Sequence, residues 1–489
     1  MSSLRILFAS AEIHPYSQVG GLGDVAAGLP KMLAALGHDV RVVTPAHASV
    51  ELSPDVKPLG IPPFRVELFG RSEEVNLLVA RGKHGFPIYF VQNSTYFGRP
   101  EVYGAGDDLL RYLFFSKAAL ELPKVLGWVP QILHLNEWHT APMAVALRNR
   151  GHYDPLYESI TSVYTIHNLA YRGPDELVDQ VCQALEYADL IITVSPTYAK
   201  EICTPRYGNG LHRVLRRRRS DLFGVLNGLD RDVFNPLTDP NVPYHFDLQR
   251  LEDRPKNKQA LLDRFGLPWE EATPVIGMVT RIVEQKGFDL LLRGLEPLLR
   301  ETSAQLVVVG PGEESYSARL REAARLNAGR LAVHTSFDVP LARQVYAGSD
   351  IFLMPSRFEP CGVGQIIAMW YGSVPVVRRT GGLVDTVIDA DRQPDSGTGF
   401  VFHEYSPAAL LEAMRRAVRC YGSPNRWREI QERGMRADFS WKASAREYEA
   451  LYRLALERRG SPAGRNGAAD AATRRVRAAL PVELDRLAA

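Results

Sequence analysis

The sequence contains few cysteines, and they are not arranged for metal binding or cross-linking. Four occur in 489 residues, and no two of them form a C-x-x-C pair. Neither a thiolate zinc site nor a disulfide framework is therefore predicted. Reduced thiols are typical of the cytoplasm, where we expect this protein to work.

Long apolar runs and an excess of charge of one sign are also missing. No stretch approaches the roughly 20 apolar residues that cross a bilayer. The first apolar strand is too short, and wrongly flanked, for a signal peptide. A formal net charge of +2 gives no reason to expect nucleic acid as a ligand. We therefore predict neither a membrane nor a nucleic acid as a partner.

What the sequence does contain is short runs rich in valine and isoleucine, separated by stretches with helical spacing. Runs of this kind are buried on both faces of a parallel sheet. They form two series, so we predict an α/β fold with two doubly wound, Rossmann-like domains. The predicted strands are Arg5–Ser10, Val40–Thr44, Pro87–Val91, Ile132–Leu135, Ser162–Ile166, Leu190–Val194 and Leu222–Leu226 in the first series, and Val275–Val279, Gln305–Val309, Leu331–Thr335, Ile351–Met354, Val374–Val377 and Gly399–Phe402 in the second.

A proline-rich stretch without periodicity, Asn235–Pro243, separates the two series. Such composition is typical of a connection between domains. We therefore predict an N-terminal domain over residues 1–240, a C-terminal domain over 241–459 and a flexible tail over 460–489. The last periodic helix, Ala443–Arg458, falls in the predicted C-terminal domain.

A glycine-rich turn follows the first predicted strand and leads into a helical pattern. Unpaired N–H groups and the positive end of a helix dipole make such a turn an anion site. We predict that Gly20 and Gly21 bind an anion and that Gln18 is the nearest side chain. Asp24 is expected to cap the helix or to hold a substrate hydroxyl. The spacing is not G-x-G-x-x-G, which argues against a dinucleotide site, and a turn without a ligand remains an alternative.

Charged and glycine-rich loops also follow strands of the second series. Arg281 and Lys286 come after the strand Val275–Val279, where open α/β sheets bind ligands, and two cations there suit a departing diphosphate. Glu359, in a proline-flanked loop, is suited to sugar hydroxyls or to developing positive charge. Gly381 and Gly382 are expected to offer N–H groups to phosphate. A solvated loop, a helix cap and a helix start remain the alternatives.

Histidines mark two strand ends of the first series. His167 and Asn168 belong to a loop that we expect to present backbone and imidazole to a substrate. His134 and His139 lie on opposite sides of a strand-to-helix turn, and no second carboxylate completes a metal site there. No metal is therefore predicted.

In this order, the segments resemble the bacterial glycogen synthase and plant starch synthase family, which are retaining glucosyltransferases of the GT-B type, with two domains that face a cleft. The resemblance extends over almost the whole chain, from about residue 4 to about residue 456. The segments that carry it are Val19–Val25, Thr165–Tyr171, Thr193–Tyr198, Leu226–Asp230, Arg281–Gly287, Pro355–Gly362 and Arg378–Leu383.

The resemblance implies transfer of glucose from a nucleotide sugar to the non-reducing end of an α-1,4-glucan, without a cofactor. The donor in such enzymes is usually ADP-glucose, with UDP-glucose as the alternative. It implies that Arg281 and Lys286 stabilise the leaving diphosphate, that Glu359 binds the donor glucose and that His167 lies by the anomeric carbon. The implied donor-binding set is Gln18, Gly20, Gly21, Cys361, Gly362, Thr380, Gly381 and Gly382, and the implied acceptor or sugar contacts are Asp24, Glu137 and Asn168.

Three features of the first half depart from the family pattern. Gln18 stands where the family usually has lysine, which removes a charge-assisted contact of about 1.5–3 kcal/mol. Glu137 stands where aspartate is usual. The segment from Gly173 to Ala188 is about twenty residues shorter than in such enzymes, more than turn variation explains. Two alternatives therefore remain: a related glycosyltransferase with a small acceptor, and a catalytically impaired glucan-binding protein.

Overall fold

The computed structural model describes residues 2–51, 53–81 and 85–460. The predicted tail after residue 460 lies outside the described residues. Contacts divide the described chain into two compact units. The first contains the chain up to Gly228 together with the helix Trp441–Gly460, and the second contains Leu229–Ser440.

The first unit is built on a sheet of ten described strands in the order β10-β9-β8-β7-β1-β2-β6-β5-β3, with β4 paired to β5. The strands from β10 to β6 are parallel, whereas β3, β4 and β5 pair antiparallel. They are β1 Arg5–Ala9, β2 Asp39–Pro45, β3 Lys57–Pro58, β4 Phe64–Leu68, β5 Arg71–Ala80, β6 Ile88–Gln92, β7 Ile132–Asn136, β8 Thr161–Ile166, β9 Leu190–Thr193 and β10 Leu222–Gly224.

The second unit has a six-stranded parallel sheet in the order β13-β12-β11-β14-β15-β16. Its strands are β11 Val275–Val279, β12 Gln305–Val309, β13 Leu331–His334, β14 Ile351–Met354, β15 Val374–Arg378 and β16 Phe400–Phe402. All the predicted strands are present, with ends within two residues of the prediction. The predicted fold class of two doubly wound domains is therefore confirmed.

Helices cover the sheets in both units. Those of the first unit are Gly21–Ala35, Ala48–Glu51, Ser94–Phe97, Asp108–Val125, Ala141–Gly151, Pro155–Glu158, Asp175–Tyr187, Pro196–Glu201, His212–Arg217 and Trp441–Gly460, with a 3₁₀ turn at Trp138–Thr140. Those of the second are Arg254–Phe265, Phe288–Glu301, Glu314–Leu326, Val339–Gly348, Gly364–Trp370, Gly381–Thr386, Pro407–Tyr421 and Pro424–Arg436, with 3₁₀ turns at Leu248–Asp253 and Glu284–Lys286. Within the described ranges, no helix combines the length and the apolar character that a membrane span requires.

Strand order explains which loops come together. In the first sheet β1 lies between β2 and β7, and β7 pairs with β8. In the second sheet β11 lies between β12 and β14, and β14 pairs with β15. The order reverses at β1 and at β11, and open parallel sheets bind ligands at such switch points, outside the carboxyl ends of the strands.

The domain division differs from the sequence-based one. The helix Trp441–Gly460 packs in the core of the first unit, where Tyr448, Leu451 and Tyr452 are fully buried. Burying side chains of this size contributes about 1.5–3 kcal/mol each, which fixes the helix there. The stretch predicted as a connection belongs to the second unit, where Asp239 accepts a hydrogen bond from the Tyr371 hydroxyl at 2.7 Å.

Candidate functional site

The turn after β1 is closed around an internal carboxylate. Glu12 is buried, and its Oε2 accepts hydrogen bonds from the backbone N–H groups of Val19 (2.7 Å) and Gly20 (3.0 Å). Its Oε1 accepts from the Tyr103 hydroxyl at 2.9 Å. Glu12 therefore satisfies the Gly20 N–H within the protein, and anion binding at Gly20 and Gly21 stays a prediction.

The surface of this turn carries the other predicted residues. Gln18 Nε2 donates to the Gly20 carbonyl at 3.2 Å, and Gln18 Oε1 lies 2.8 Å from His14 Nδ1. Since an amide oxygen can only accept, His14 Nδ1 carries the hydrogen. Gly21 and Asp24 are exposed in the first turn of the following helix. A Cβ on Gly20 or on Gly21 would meet no atom within 4 Å, so the approach to this turn is open.

Glu137 joins the ends of two neighbouring strands, β7 and β8. Its Oε1 accepts from the backbone N–H groups of His167 (2.6 Å) and Asn168 (2.7 Å), and its own N–H donates to the Thr165 carbonyl at 3.0 Å. Burial raises the pKa of the Glu137 carboxyl to about 8, against the N–H bonds, which lower it. Its φ of +62° lies in the left-handed region, which few residues with a side chain adopt. The carboxyl therefore fixes the backbone of the predicted substrate loop.

One ring nitrogen of His167 has a hydrogen-bond partner in the described part of the chain, and the other does not. Its Nε2 lies 2.9 Å from Asn136 Oδ1, while Asn136 Nδ2 donates to the Ala9 carbonyl at 2.9 Å. Asn136 Oδ1 is thus an acceptor, and His167 Nε2 carries the hydrogen. Its Nδ1 is buried and has no hydrogen-bond partner in the described part of the chain. Burial lowers the pKa of His167 to about 3, so the ring is neutral and its buried Nδ1 is an unprotonated acceptor.

In the second unit, the structure brings Lys286 and Glu359 together. Lys286 Nζ donates to both carboxylate oxygens of Glu359, at 2.9 and 2.7 Å. Ser356 Oγ also donates to Oε2 of Glu359, at 3.0 Å. The pair is largely enclosed, with 17% of the lysine side chain and 6% of the glutamate side chain exposed. Arg281 stands exposed on the loop that leads to Lys286. A group with two cations and one carboxylate can hold a diphosphate and sugar hydroxyls.

Gly381 and Gly382 lie directly behind the loop that carries Glu359. A Cβ on Gly381 would lie 1.9 Å from the Glu359 carbonyl oxygen, and one on Gly382 would lie 2.1 Å from that of Cys361. The N–H of Gly382 donates to the carbonyls of Glu359 (3.1 Å) and Pro360 (3.2 Å). The Gly382 N–H thus has acceptors within the protein, and its contact with phosphate stays a prediction. Close packing against the loop requires both glycines.

Three further members of the predicted donor-binding set shape the same loop. Cys361 and Thr380 are buried, and Gly362, with a φ of +71°, is partly exposed. Gln365 Nε2 donates to the carbonyls of Cys361 (3.2 Å) and Gly362 (3.0 Å). A Cβ on Gly362 would lie 2.6 Å from Gln365 Oε1. Gln365 therefore holds the end of the loop in place.

Sequence reasoning assigned no role to three side chains that organise these sites: Glu12, Asn136 and Ser356. A Ser-x-x-Glu spacing was visible for Ser356 and Glu359, and it is the spacing of a local side-chain contact. Glu12 and Asn136 gave no such signal, because their partners come close only in the fold: backbone groups for both, the Tyr103 hydroxyl for Glu12 and the His167 ring for Asn136.

Comparison with known proteins decides the family. The model of the starch synthase catalytic domain matches residues 5–217, and that of glycosyl transferases group 1 matches residues 261–433. A glycogen synthase from Moorella thermoacetica is 42% identical over 482 residues, which is 93% of this chain and 98% of that protein. This chain belongs to the glycogen synthase and starch synthase family. As a member, it is a glycosyltransferase, as the motifs predicted.

Other members of the family agree in length and in fold. A glycogen synthase from Anaeromyxobacter dehalogenans is 44% identical over 479 residues, which is 92% of this chain and 99% of that protein. The catalytic domain of starch synthase IV from Arabidopsis thaliana, solved with ADP and acarbose bound, has a TM-score of 0.84 at 32% identity and covers 93% of this chain and 100% of that one. The fold is therefore of the GT-B type, shared with starch synthase.

Proposed function

We propose that this protein transfers glucose from ADP-glucose to the non-reducing end of an α-1,4-glucan, with retention at the anomeric carbon. The observation that carries the proposal is the Lys286–Glu359 pair at the ends of β11 and β14, with Arg281 on the same loop as the lysine. Family membership supports a nucleotide sugar as donor. The plant relative solved with ADP supports adenine as the base.

The second unit supplies the groups for the donor. As the bond to the diphosphate breaks, negative charge grows on the leaving phosphate, and the cations Arg281 and Lys286 neutralise it. A charge-assisted hydrogen bond of this kind contributes about 1.5–3 kcal/mol, and more to a charge that develops in the transition state. Lys286 exchanges part of its contact with Glu359 for the phosphate, which leaves carboxylate oxygens for sugar hydroxyls.

The first unit supplies groups for the sugar and the acceptor. The acceptor 4-hydroxyl attacks the anomeric carbon on the face from which the diphosphate departs, and its proton passes to the departing phosphate oxygen. One carbon–oxygen bond breaks and one forms, without a protein nucleophile. The neutral His167 ring adds no positive charge beside a carbon with oxocarbenium character.

We place this reaction in the cytoplasm. The four cysteines are all free: Cys182 and Cys203 are partly exposed, and Cys361 and Cys420 are buried. Free thiols are ordinary in a reducing compartment, so they support this location.

The proposal is tested with purified protein and glucose-labelled ADP-glucose or UDP-glucose, with glycogen, maltose or no acceptor. We expect label from ADP-glucose to enter glycogen in chains that β-amylase degrades, with the α configuration by NMR. The Glu359→Gln variant is the negative control. No incorporation from either donor would overturn the proposal. Transfer to maltose alone would favour the small-acceptor alternative, which the short Gly173–Ala188 segment suggested.

A further inference from the structure

A second group of polar contacts lies behind the Lys286–Glu359 pair. Arg357 Nη2 donates to Asp289 Oδ2 at 3.0 Å and to Glu284 Oε1 at 2.7 Å. The Arg357 backbone N–H donates to the Gln285 carbonyl at 2.8 Å. The loop that carries Glu359 is thus joined to the segment that carries Lys286 on both sides of the lysine.

Tyr405, from the segment after β16, completes this group. Its hydroxyl donates to Asp289 Oδ1, and its ring lies 4.8 Å from the Arg357 guanidinium and 5.4 Å from that of Arg378. Arg378 is buried, and it donates from Nε to the Ser356 carbonyl (3.0 Å) and from Nη2 to the Arg357 carbonyl (2.9 Å). We refer to Asp289, Arg357, Arg378 and Tyr405 as the Asp289 cluster.

Two members of the cluster lie close to the ion pair in sequence. Asp289 lies three residues after Lys286, and Arg357 lies two residues before Glu359. Ser356 connects the two groups directly, because its carbonyl accepts from Arg378 while its hydroxyl donates to Glu359. Outer partners of this kind orient the groups that touch a ligand, and a lysine on a flexible stem depends on them most.

We propose that Asp289, Arg357 and Tyr405 are positioning residues, which hold Lys286 and Glu359 in the geometry that glucosyl transfer requires. This inference rests on the function proposed above. None of the three is assigned a contact with the donor or the acceptor. They act by tying two loops, at the ends of β11 and β14, to one carboxylate.

Two conservative variants test the cluster. Tyr405→Phe removes the hydroxyl and keeps the ring between the guanidinium groups, and Asp289→Asn keeps an acceptor and removes the charge. Loss of an outer partner of a metal ligand typically costs about 10–100-fold in activity, and we expect a comparable range where the partner orients an ion pair. We expect kcat to fall within that range, more for Asp289→Asn, with a smaller change in the KM for ADP-glucose, because a displaced Lys286 costs most where negative charge develops on the leaving phosphate, in the transition state.

A matched control is available on the same carboxylate. Arg293 Nη2 also donates to Asp289 Oδ2, at 3.2 Å, but 57% of its side chain is exposed and it lies one helical turn away in the same helix. We expect Arg293→Gln to leave kcat within about two-fold of wild type, as exposed pairs contribute little. Arg357→Lys should retain more kcat than Arg357→Gln, since the ammonium preserves the charge beside Asp289.

Crystal structures of the wild type and the Asp289→Asn variant separate this inference from the proposed function. We expect at least one of the two Lys286–Glu359 contacts to lengthen beyond hydrogen-bonding distance in the variant. If both contacts persist, or if kcat is unchanged while the melting temperature falls, the cluster is structural and the inference is overturned. If the wild type transfers no glucose from any nucleotide sugar, the proposed function fails, and the crystallographic comparison still decides about the cluster.

Discussion

The Lys286 ammonium donates to both oxygens of the Glu359 carboxylate, at 2.9 and 2.7 Å, at the ends of two neighbouring parallel strands. Desolvating two charged groups costs free energy, and the attraction between them offsets this cost. When one partner is removed, the other charge stays desolvated without that attraction. The pair is therefore sensitive to loss of either member. It is also ready to exchange partners, because an arriving diphosphate offers the ammonium a second anion.

Removing one member of the pair should cost stability as well as activity. We expect Lys286→Met to lower the free energy of unfolding by about 1–3 kcal/mol, since it leaves a largely enclosed carboxylate with Ser356 as its remaining donor. The double variant with Glu359→Gln should lose less than the sum of the two single variants, because no unpaired charge remains. Urea unfolding measures these values.

The control for this prediction is Lys256→Met. Lys256 pairs with Asp253 at 2.7 Å, but 58% of the lysine side chain is exposed. Exposed pairs contribute about 0–1 kcal/mol, so the change should be near zero. An equal loss in both lysine variants would show that the enclosure of the Lys286–Glu359 pair has no energetic consequence.

Substitution by alanine should affect stability differently at Gly381 in the second unit and at Gly20 in the first. Gly381→Ala places a Cβ 1.9 Å from the Glu359 carbonyl at a φ of +46°, so the loop must move, and we expect a loss of at least about 3 kcal/mol and of activity. Gly20→Ala meets no atom within 4 Å, so the melting temperature should stay unchanged. If a ligand approaches this turn closely, the KM for the nucleotide sugar rises in Gly20→Ala.

These two measurements separate packing from binding. A stable, active Gly381→Ala protein would contradict the packing role assigned to that glycine. A Gly20→Ala enzyme with wild-type KM and kcat would show that the turn after β1 does not contact the donor.

The sequence predicted the strands well because both faces of a parallel sheet are buried, which gives continuous apolar runs. It did not predict β4 and β5, because Phe64–Leu68 and Arg71–Ala80 alternate polar and apolar residues, as strands with one covered face do. The alternation and the glycine at position 70 were the sequence signals of a hairpin, and the structure has positive φ at both turn residues, Phe69 and Gly70.

Other features depend on contacts that no local pattern contains. Helical spacing predicted the helix near the end of the chain, but it does not indicate which domain the helix packs against. The helix packs in the first unit through Tyr448 and Tyr452. The Tyr452 hydroxyl lies 2.6 Å from His134 Nδ1, a contact between residues 318 positions apart. For the site, the motifs predicted Lys286 for the diphosphate and Glu359 for the donor glucose. They predicted neither the ion pair between these two residues nor that Glu12 would occupy the N–H of Gly20.

Restoring the lysine that the family usually has should strengthen donor binding. Gln18 is exposed and its side-chain contacts are with His14 and the Gly20 carbonyl, so Gln18→Lys breaks no buried contact. A charge-assisted bond contributes about 1.5–3 kcal/mol, so we expect kcat/KM for ADP-glucose to rise by about 10-fold or more. Gln18→Met, of similar length and without charge, is the control.

An unchanged kcat/KM in Gln18→Lys would show that the cations of the second unit suffice. If kcat/KM is near zero in the natural chain and rises in Gln18→Lys, the result would instead support the catalytically impaired alternative. Steady-state rates at fixed glycogen, with ADP-glucose varied, give both values.

The Glu137 carboxyl should make stability depend on pH. Burial raises its pKa from 4.5 to about 8 in the folded protein, so between these values the folded state keeps a proton that the unfolded state has released. The contribution of Glu137 to the free energy of unfolding therefore falls as pH rises from about 5 to 8, by up to about 1.4 kcal/mol per pH unit, and is constant above that range.

Glu137→Gln keeps an acceptor for the N–H groups of His167 and Asn168 but cannot ionise. We expect the stability of the variant relative to wild type to increase from pH 5 to pH 8, measured by urea unfolding at each pH. The comparison cancels the other titrating groups, and a constant difference would show that Glu137 titrates normally.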